Sequence, residues 1–391
     1  MTTYERVTAV PEPIDKVESD ELAGSQDEKV YVASAWKLMW WRYRRHKVAL
    51  ISTAIVLLLY LVALVCEFVA PYNPGSSFSK YKFHPPTQIH IVDAEGNWRM
   101  PFVYQSVREL DRETLRNTYT EETSVRYPVR FFVRGEEYKL WGLIPMNRKL
   151  FGVEVAQEEQ GVFLMGTDRL GRDMFSRVIY GARISLSVGL IGVLVSLVLG
   201  ILLGGISGYY GGTIDNIIQR VIEFLRSIPS IPLWMGLSAA LPTTWSVLQV
   251  YFGITLILSL LGWTGMARVV RGRFLQLREE DFITAAKLSG ASEMRLILRH
   301  MLPSFLSHII AALTLSIPGM IMAETSLSFL GLGLREPVIS WGVLLQESQN
   351  VGAVAVSPWI MVAPAAMVVL SVLAFNFMGD GLRDAADPYA H

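Results

Sequence analysis

The sequence predicts an all-α polytopic membrane protein of about six transmembrane helices, with a small β-containing extracytoplasmic insertion between the first and the second. Two observations support this fold class. Of the 391 residues, 51% are hydrophobic and only 18% are charged, whereas soluble domains average about 25% charged residues. The hydrophobic residues are also gathered into long runs, and a spanning helix needs about 20 mostly apolar residues. Much of the chain is therefore suited to contact with lipid.

Five runs reach the required length: 48–70, 184–206, 247–267, 304–330 and 358–377. A sixth run, 217–241, is weaker, because it has charged residues near its start and prolines at 229 and 232. We predict that it also spans, since its charges lie at one end, where long side chains can reach the headgroups. Prolines are tolerated in membrane helices when neighbouring helices satisfy the freed carbonyls. The three charges, Arg220, Glu223 and Arg226, have the spacing of ion pairs on one helix face.

Basic residues predict the orientation, because short loops rich in Lys and Arg stay in the cytoplasm. Five basic residues fall between positions 37 and 47, and seven fall between 268 and 299. Four predicted spans separate these regions, so both can be cytoplasmic, and the C-terminus then lies on the same side. Residues 1–47 form a predicted cytoplasmic tail and amphipathic segment. Its first 30 or so residues are polar and acidic, which predicts disorder and does not match a cleavable signal peptide.

The polar region 71–165 follows the predicted first span, 48–70, and is too long for an ordinary loop. Alternating apolar and polar residues at 88–92 and 127–134 predict strands, and Arg134-Gly135-Glu136-Glu137 predicts a hairpin turn. This region is the predicted extracytoplasmic insertion.

Composition excludes several classes of function. The formal net charge is zero and the basic residues are distributed along the chain, so nothing indicates nucleic acid binding. The single cysteine, Cys66, cannot form an intrachain disulfide or a cysteine metal site. His300 and His308 are eight residues apart with Pro303 between them, which is not the spacing of a metal pair. No metal site is expected.

The segment between the predicted fourth and fifth spans is the most informative. It reads DFITAAKLSGA at 281–291 and HMLP at 300–303, which predicts a short helix, a glycine break and a second amphipathic helix. Ala285 and Ala286 leave little bulk on one face of the first helix, so a partner groove can approach its backbone. Gly290 permits the left-handed conformation that ends a helix, and the acidic Glu280 suits the start of one.

Together with four further segments in chain order, this segment resembles the C-type permease subunit of dipeptide and oligopeptide ABC importers. That family also moves nickel complexes and, in some members, oligosaccharides. The further segments are GTDRLGRD at 166–173, GYYGG at 208–212, ETSLSFLGLG at 324–333, and GDGLRD at 379–384 with Asp387-Pro388. The resemblance implies a type I ABC importer permease fold in the bacterial inner membrane, with the permease core at 166–391.

The resemblance also implies a site and partners. The site is an ATPase-coupling loop at 269–303, and the residues that match it are Glu280, Asp281, Thr284, Ala285, Ala286, Lys287, Gly290, Ala291, Arg295, His300 and Pro303. The implied partners are a second, B-type permease subunit, two ABC ATPase subunits, an extracytoplasmic substrate-binding protein and membrane lipid. ATP and Mg²⁺ would bind the ATPases, and this chain would hold no cofactor.

Three details qualify the match. Thr284 stands where the broad permease pattern has Glu, and His300 stands where that pattern has an aliphatic residue. The His-x-Leu-Pro sequence nevertheless resembles the peptide-importer branch.

The insertion could touch the binding protein or could simply pack on the permease, and the sequence favours neither interpretation.

The sequence is compatible with alternative functions. Within the importer class, the substrate could be an oligosaccharide or another small polar solute instead of a peptide. A stand-alone secondary transporter or channel would predict inverted repeats and paired intramembrane carboxylates, but only Glu324 lies well inside a predicted span. Glu324 could line a pore or hold a structural hydrogen bond. No cluster of His, Asp and a nucleophile suggests an enzyme, and no GxxxxGK[ST] phosphate loop occurs in the sequence.

Overall fold

The computed structural model describes residues 35–110, 112, 117–154, 160–242 and 244–386. The predicted disorder near the start of the chain and the motif Asp387-Pro388 lie outside these residues. The described chain is mainly helical. Its helices are α1 Ala35–Arg45, α2 Lys47–Leu64, α3 Cys66–Val69, α4 Met174–Tyr210, α5 Gly212–Ser227, α6 Ser230–Ala239, α7 Val247–Leu277, α8 Asp281–Leu288, α9 Glu293–Arg295, α10 Leu302–Ser304, α11 Leu306–Phe329, α12 Trp341–Gln346, α13 Val351–Val356 and α14 Trp359–Ala386.

Five helices of the described chain are long and apolar enough to cross a membrane: α2, α4, α7, α11 and α14. They coincide with the five strong predicted spans, so the all-α membrane fold is confirmed. Long helices pack along one another, and α4 lies between α7, α11 and α2. The largest buried apolar cluster joins these helices and includes Leu186, Ile254, Leu258, Ile321 and Phe375.

The predicted sixth span, 217–241, is wrong as a single helix. The structure divides it into α5 and α6, and neither is long enough to cross alone. The break is at Ile228, whose backbone is extended (φ −87°, ψ 129°) because the next residue is Pro229. A residue that precedes proline is disfavoured in the helical region, since its backbone would clash with the proline ring.

The two short helices nevertheless follow α7 along its length. Ile222 of α5 packs with Trp263 and Ala267 in the inner half of α7. Beyond α6, Leu241 lies close to Gly253, near the start of α7. The chain therefore passes from one end of the helical bundle to the other in two pieces. We call the end that carries the insertion the outer end and the opposite one the inner end. The Arg220–Glu223 pair forms at 2.7 Å on the exposed face of α5.

Close contact between α4 and α7 depends on glycine. Three glycines of α4, four residues apart, face α7: Gly200, Gly204 and Gly208. A Cβ added at Gly204 would lie 2.4 Å from the carbonyl oxygen of Ala267, which belongs to rigid backbone. Small residues at such positions let membrane helices approach closely.

Gly204→Ala is therefore expected to destabilise the bundle by about 1–3 kcal/mol, because overpacking forces the two backbones apart. The measurement is the midpoint of thermal unfolding of the purified protein in nanodiscs. Gly265→Ala is the matched control on α7, since a Cβ there meets no atom within 4 Å. Equal unfolding midpoints for the two variants would show that the close approach of α4 and α7 at Gly204 does not contribute to stability.

In its described residues the insertion contains six strands, β1 His90–Val92, β2 Trp98–Leu110, β3 Asn117–Phe131, β4 Arg134–Leu140, β5 Ile144–Arg148 and β6 Phe151–Val153. Strands β1, β2, β3 and β6 form an antiparallel sheet in the order β1-β2-β3-β6, and β4 pairs with β5. The predicted hairpin turn at Arg134–Glu137 is wrong, because these residues begin β4. The chain bends instead at Phe132, which has a positive φ of 57°, and the hairpin turn lies further on, at 141–143.

Candidate functional site

The predicted coupling loop, 269–303, begins inside α7 and continues through two short helical pieces at the inner end of the bundle. We call residues 278–305 the inner segment. It contains α8, a turn at 289–292, and a second helical stretch. That stretch is made of α9, a π-helical part at Leu296–Met301, and α10. Pro303 lies in α10, just before the spanning helix α11 begins.

The turn at Gly290 has a defined geometry. Gly290 adopts φ +79°, and its N–H donates to the carbonyl of Lys287 at 3.0 Å. The next N–H, of Ala291, donates to the carbonyl of Ala286 at 3.1 Å. This pair of bonds is the Schellman motif, which satisfies the last carbonyls of a helix and needs a residue that tolerates positive φ. Gly290 therefore fixes the direction in which the chain leaves α8.

Apolar anchors attach the inner segment to the bundle. Ile283 and Met301 are fully buried, and they pack in one cluster with Phe274 of α7 and with Phe305. Leu296 is also fully buried. The segment is therefore seated on the inner end of α7 and does not hang free as a loop. The buried face of α8 is thus in direct contact with the base of α7 and with the start of α11.

The opposite face of α8 is exposed. Four residues at positions i, i+3, i+4 and i+7 form a stripe along it: Asp281, Thr284, Ala285 and Leu288. Leu288 is 85% exposed although it is apolar. We call these four residues the α8 stripe. Thr284, which replaces the usual Glu, is part of the stripe, so the departure from the family pattern changes this exposed surface directly.

Further exposed apolar residues flank the stripe, and sequence reasoning did not select them. They are Phe282, Met294 and Leu298. Their signal in the sequence was weak, because an amphipathic helix with one buried face does not reveal whether apolar residues elsewhere on it are covered. Of the remaining predicted residues, Glu280 precedes α8 without a side-chain cap. Glu280, Lys287, Gly290, Arg295 and Pro303 are exposed, and Ala286, Ala291 and His300 are half-buried.

The GYYGG turn at 208–212 holds the inner segment in place. Tyr210 donates its hydroxyl proton to Glu293 at 2.8 Å, and the Lys287 ammonium lies 5.7 Å from the centre of the Tyr209 ring. Just beyond, Asp215 accepts two hydrogen bonds of 2.6 Å from Arg271 of α7. Two motifs about 75 positions apart in the sequence thus form one inner junction.

A second polar cluster lies at the outer end and is built around Asp168 of the GTDRLGRD motif. Asp168 is fully buried and accepts hydrogen bonds from Arg172, at 2.6 Å, and from Arg177. It also accepts hydrogen bonds from the backbone N–H groups of Leu170 and Arg172, at 2.8 and 2.9 Å. Both arginines continue to Glu336, at 3.0 and 2.7 Å. The cluster ties the start of α4 to the loop that follows α11.

The charge balance of this outer cluster is set by the arginines. Burial alone raises the pKa of Glu336, but the hydrogen bonds from Arg172 and Arg177 together outweigh burial and leave that pKa below its ordinary value. A cavity of about 790 Å³ opens beside the cluster. Its charged lining residues are Arg169, Arg172, Arg177, Arg335, Glu336 and Glu347.

Glu324 lies near the outer end of α11 and is fully buried. Its carboxylate accepts hydrogen bonds from three serine hydroxyls, at 2.7 Å from Ser340, 2.8 Å from Ser328 and 3.3 Å from Ser185. The serines come from α11, from α4 and from the loop before α12. This closed arrangement favours the structural interpretation of Glu324 over a pore-lining one.

A cleft of about 330 Å³ lies within the membrane part of the bundle, between α4, α6, α7 and α11. Its lining combines small and apolar residues with a few polar atoms, from Ser196, Ser316 and Trp234. Ser316 and Gly319 are exposed on α11, so the cleft reaches the surface of this chain.

Comparison with known proteins agrees with these features. Residues 196–390 match the family described as binding-protein-dependent transport system inner membrane component. Residues 34–86 match the N-terminal TM domain of oligopeptide transport permease C.

Individual relatives are similar over long stretches. The oligopeptide transport system permease protein OppC of Haemophilus influenzae is 40% identical over 60% of this chain and 73% of its own length. The dipeptide permease DppC of Lactococcus lactis is 30% identical over 90% of both chains. The glutathione permease GsiD of Escherichia coli is 32% identical over 91% of both.

Among solved structures, an inward-facing methionine ABC transporter is similar with a TM-score of 0.45 and 19% identity, covering 55% of this chain and 98% of its own. The binding-protein-dependent transport systems that residues 196–390 match work with ATPase and binding-protein partners. The chain belongs to the family of inner-membrane components of binding-protein-dependent transport systems, and is a multi-pass permease subunit of an ATP-binding-cassette importer, of the oligopeptide and dipeptide permease C type.

Proposed function

We propose that this chain forms half of the translocation path for peptides delivered by an extracytoplasmic binding protein. The second half would come from a B-type permease subunit. Two separate ATPase subunits would bind ATP and Mg²⁺ and would drive transport by pressing on the inner segment. The observation that carries this proposal is the α8 stripe, an exposed and partly apolar helix face on a segment whose other face is anchored to the bundle.

The anchors explain how force would reach the path. Ile283 is buried against the base of α7, and Arg271 of α7 is bonded to Asp215 at the start of α5. A push on α8 would therefore be transmitted to α7 and to the α5–α6 crossing. Both elements border the membrane cleft, so its opening would change with the position of α8.

The cleft supports the proposal of a shared path. It reaches the surface of this chain at Ser316 and Gly319, where a second permease subunit would close it. Its lining is mainly apolar, with hydroxyl groups from Ser196 and Ser316, so a polar solute would pass without binding tightly. The relatives at 30% identity or more are named for oligopeptides, dipeptides and glutathione, which supports a peptide substrate over an oligosaccharide.

The stand-alone transporter is less well supported. Such a protein needs an intramembrane carboxylate that an ion can reach. Glu324 is enclosed by serines, and this chain has no phosphate loop of its own. The enclosure of Glu324 is the fact that favours energy input from a partner.

For orientation, we propose that the N- and C-termini are cytoplasmic and that the insertion is extracytoplasmic. Gly381 of α14 lies against Ala49 of α2, so the start of the first span and the end of the last share the inner end. The basic residues before α2 and in the inner segment then lie on the same side, as the positive-inside rule requires.

Gly290→Val tests the coupling proposal. Valine at φ +79° is strained by about 1–3 kcal/mol, which should redirect the chain after α8. We expect ATP hydrolysis by the reconstituted importer to continue while peptide uptake falls. The measurement is both rates in the same proteoliposomes.

Gly290→Asn is the control, because asparagine tolerates positive φ better than other residues with a side chain and should retain most of the uptake. A Gly290→Val protein with normal uptake would contradict the proposal.

A further inference from the structure

The β4–β5 hairpin ends in an exposed apolar turn. Trp141, Leu143 and Ile144 are 49%, 78% and 48% exposed. The turn is nonetheless well formed. The N–H of Gly142 donates to the carbonyl of Lys139 and the N–H of Leu143 donates to the carbonyl of Leu140, both at 3.0 Å. A rigid turn that displays three large apolar side chains to water is unfavourable, and such surfaces mark a place of interaction.

Contacts fix the direction of this hairpin relative to the membrane helices. At its base, Lys149 donates to the carbonyl of Glu67 at 2.9 Å. At its tip, the indole N–H of Trp141 donates to the carbonyl of Leu64 at 2.7 Å. Because α2 runs from the inner to the outer end, Leu64 lies deeper than Glu67. The hairpin therefore points back along the outer end of α2, with its tip closest to the membrane.

The depth of the tip matches the border of the apolar core. Leu64, which accepts the Trp141 bond, also accepts a bond of 3.1 Å from Arg183 of α4. Arg183 directly precedes the apolar run that starts at residue 184. Tryptophan is enriched at this level of membrane proteins, where its ring is apolar and its N–H finds a polar partner.

The apolar turn also continues an exposed apolar surface of a spanning helix. Four leucines of α2 are more than half exposed: Leu57, Leu58, Leu61 and Leu64. At the base of the hairpin, the exposed Phe132 lies 6.0 Å, ring to ring, from Phe68. The exposed Arg134 and Arg148 lie opposite each other at the base of the hairpin, farther from the apolar core than the turn, and the exposed Lys139 lies between them and the turn. Apolar tip and basic base together match the cross-section of a lipid surface.

We propose that the β4–β5 hairpin is a membrane anchor of the insertion, with its turn seated in the outer interfacial layer of the bilayer beside α2. The occupant of this surface is phospholipid. The anchor fixes the sheet against the membrane surface on one side, so that the insertion holds a constant height above the outer end of the bundle.

The test places a fluorescent probe on the turn. Leu143→Cys is labelled with an environment-sensitive fluorophore, and the full importer is reconstituted in nanodiscs with or without phospholipid brominated near the headgroup. Wild-type protein is the blank, because its single cysteine, Cys66, is fully buried. Ser124→Cys, at an exposed polar position of β3, is the matched control, and Ile144→Cys repeats the test at a neighbouring position of the turn.

We expect blue-shifted emission and strong quenching by brominated lipid at positions 143 and 144, and neither at 124. Water-like emission without quenching at both turn positions would overturn the proposal. So would a probe at 143 that lipid does not quench and that becomes shielded only when the binding protein is added, because the turn would then be a protein docking surface.

Discussion

Asp168→Ala is expected to cost about 3–5 kcal/mol of stability, because it removes the partner of a buried cation. Arg177 is 2% exposed and Asp168 is fully buried, so the guanidinium would keep only Glu336 as its partner. The backbone N–H groups of Leu170 and Arg172 would also lose their acceptor. Since most domains are stable by about 5–15 kcal/mol, this loss is a large share of the total, and both the yield and the unfolding temperature should fall.

The measurement for Asp168→Ala is the yield and the midpoint of thermal unfolding in detergent or nanodiscs. Arg169→Ala, at the next position in the chain, is the control. The side chain of Arg169 is 61% exposed, and surface substitutions usually change stability by less than about 0.5 kcal/mol. If the two variants unfold at the same temperature, the outer cluster does not hold α4 to the loop after α11.

Leu288→Asp is expected to weaken ATPase association strongly while leaving the permease folded. The side chain is 85% exposed at the end of the α8 stripe, so folding should be insensitive to the change. A buried anchor at an interface contributes about 2 kcal/mol or more, which corresponds to an affinity loss of roughly 30-fold. Affinity between purified ATPase subunits and the permease pair in nanodiscs is the quantity to measure.

Two variants complete that experiment. Leu288→Met keeps an apolar side chain of similar size and should retain most of the affinity. Met100→Asp removes an equally exposed apolar residue, 82% exposed, from the insertion and should leave ATPase binding unchanged. If Leu288→Asp leaves the affinity unchanged, the α8 stripe is not part of the ATPase interface.

Much of the helical architecture could be predicted from the sequence, because length and hydropathy alone identify spanning helices. The inner segment was also predictable as two helices with a break, since Gly290 is a strong local signal. The split crossing at Pro229 was missed because a proline within an apolar run is compatible with either a kinked span or two helices. Only packing along α7 distinguishes them.

Long-range contacts could not be predicted from one sequence. Arg177 and Glu336 are separated by 159 positions, and no local pattern links them. The hairpin turn at 141–143 was missed for a different reason, because Trp141 adopts a positive φ of 54° that a tryptophan rarely takes. The glycine at 135 suggested a turn instead, but it lies in β4, where a Cβ would meet Lys149 at 2.7 Å.

We propose that the energy for transport reaches this permease from a separate ATPase that binds the α8 stripe. Peptide accumulation in proteoliposomes tests it most directly, with vesicles that contain the complete importer compared with vesicles that contain this chain alone under an ion gradient. We expect uptake against a concentration gradient only in the complete importer and only with ATP. Accumulation of peptide by this chain alone, without nucleotide, would contradict the account.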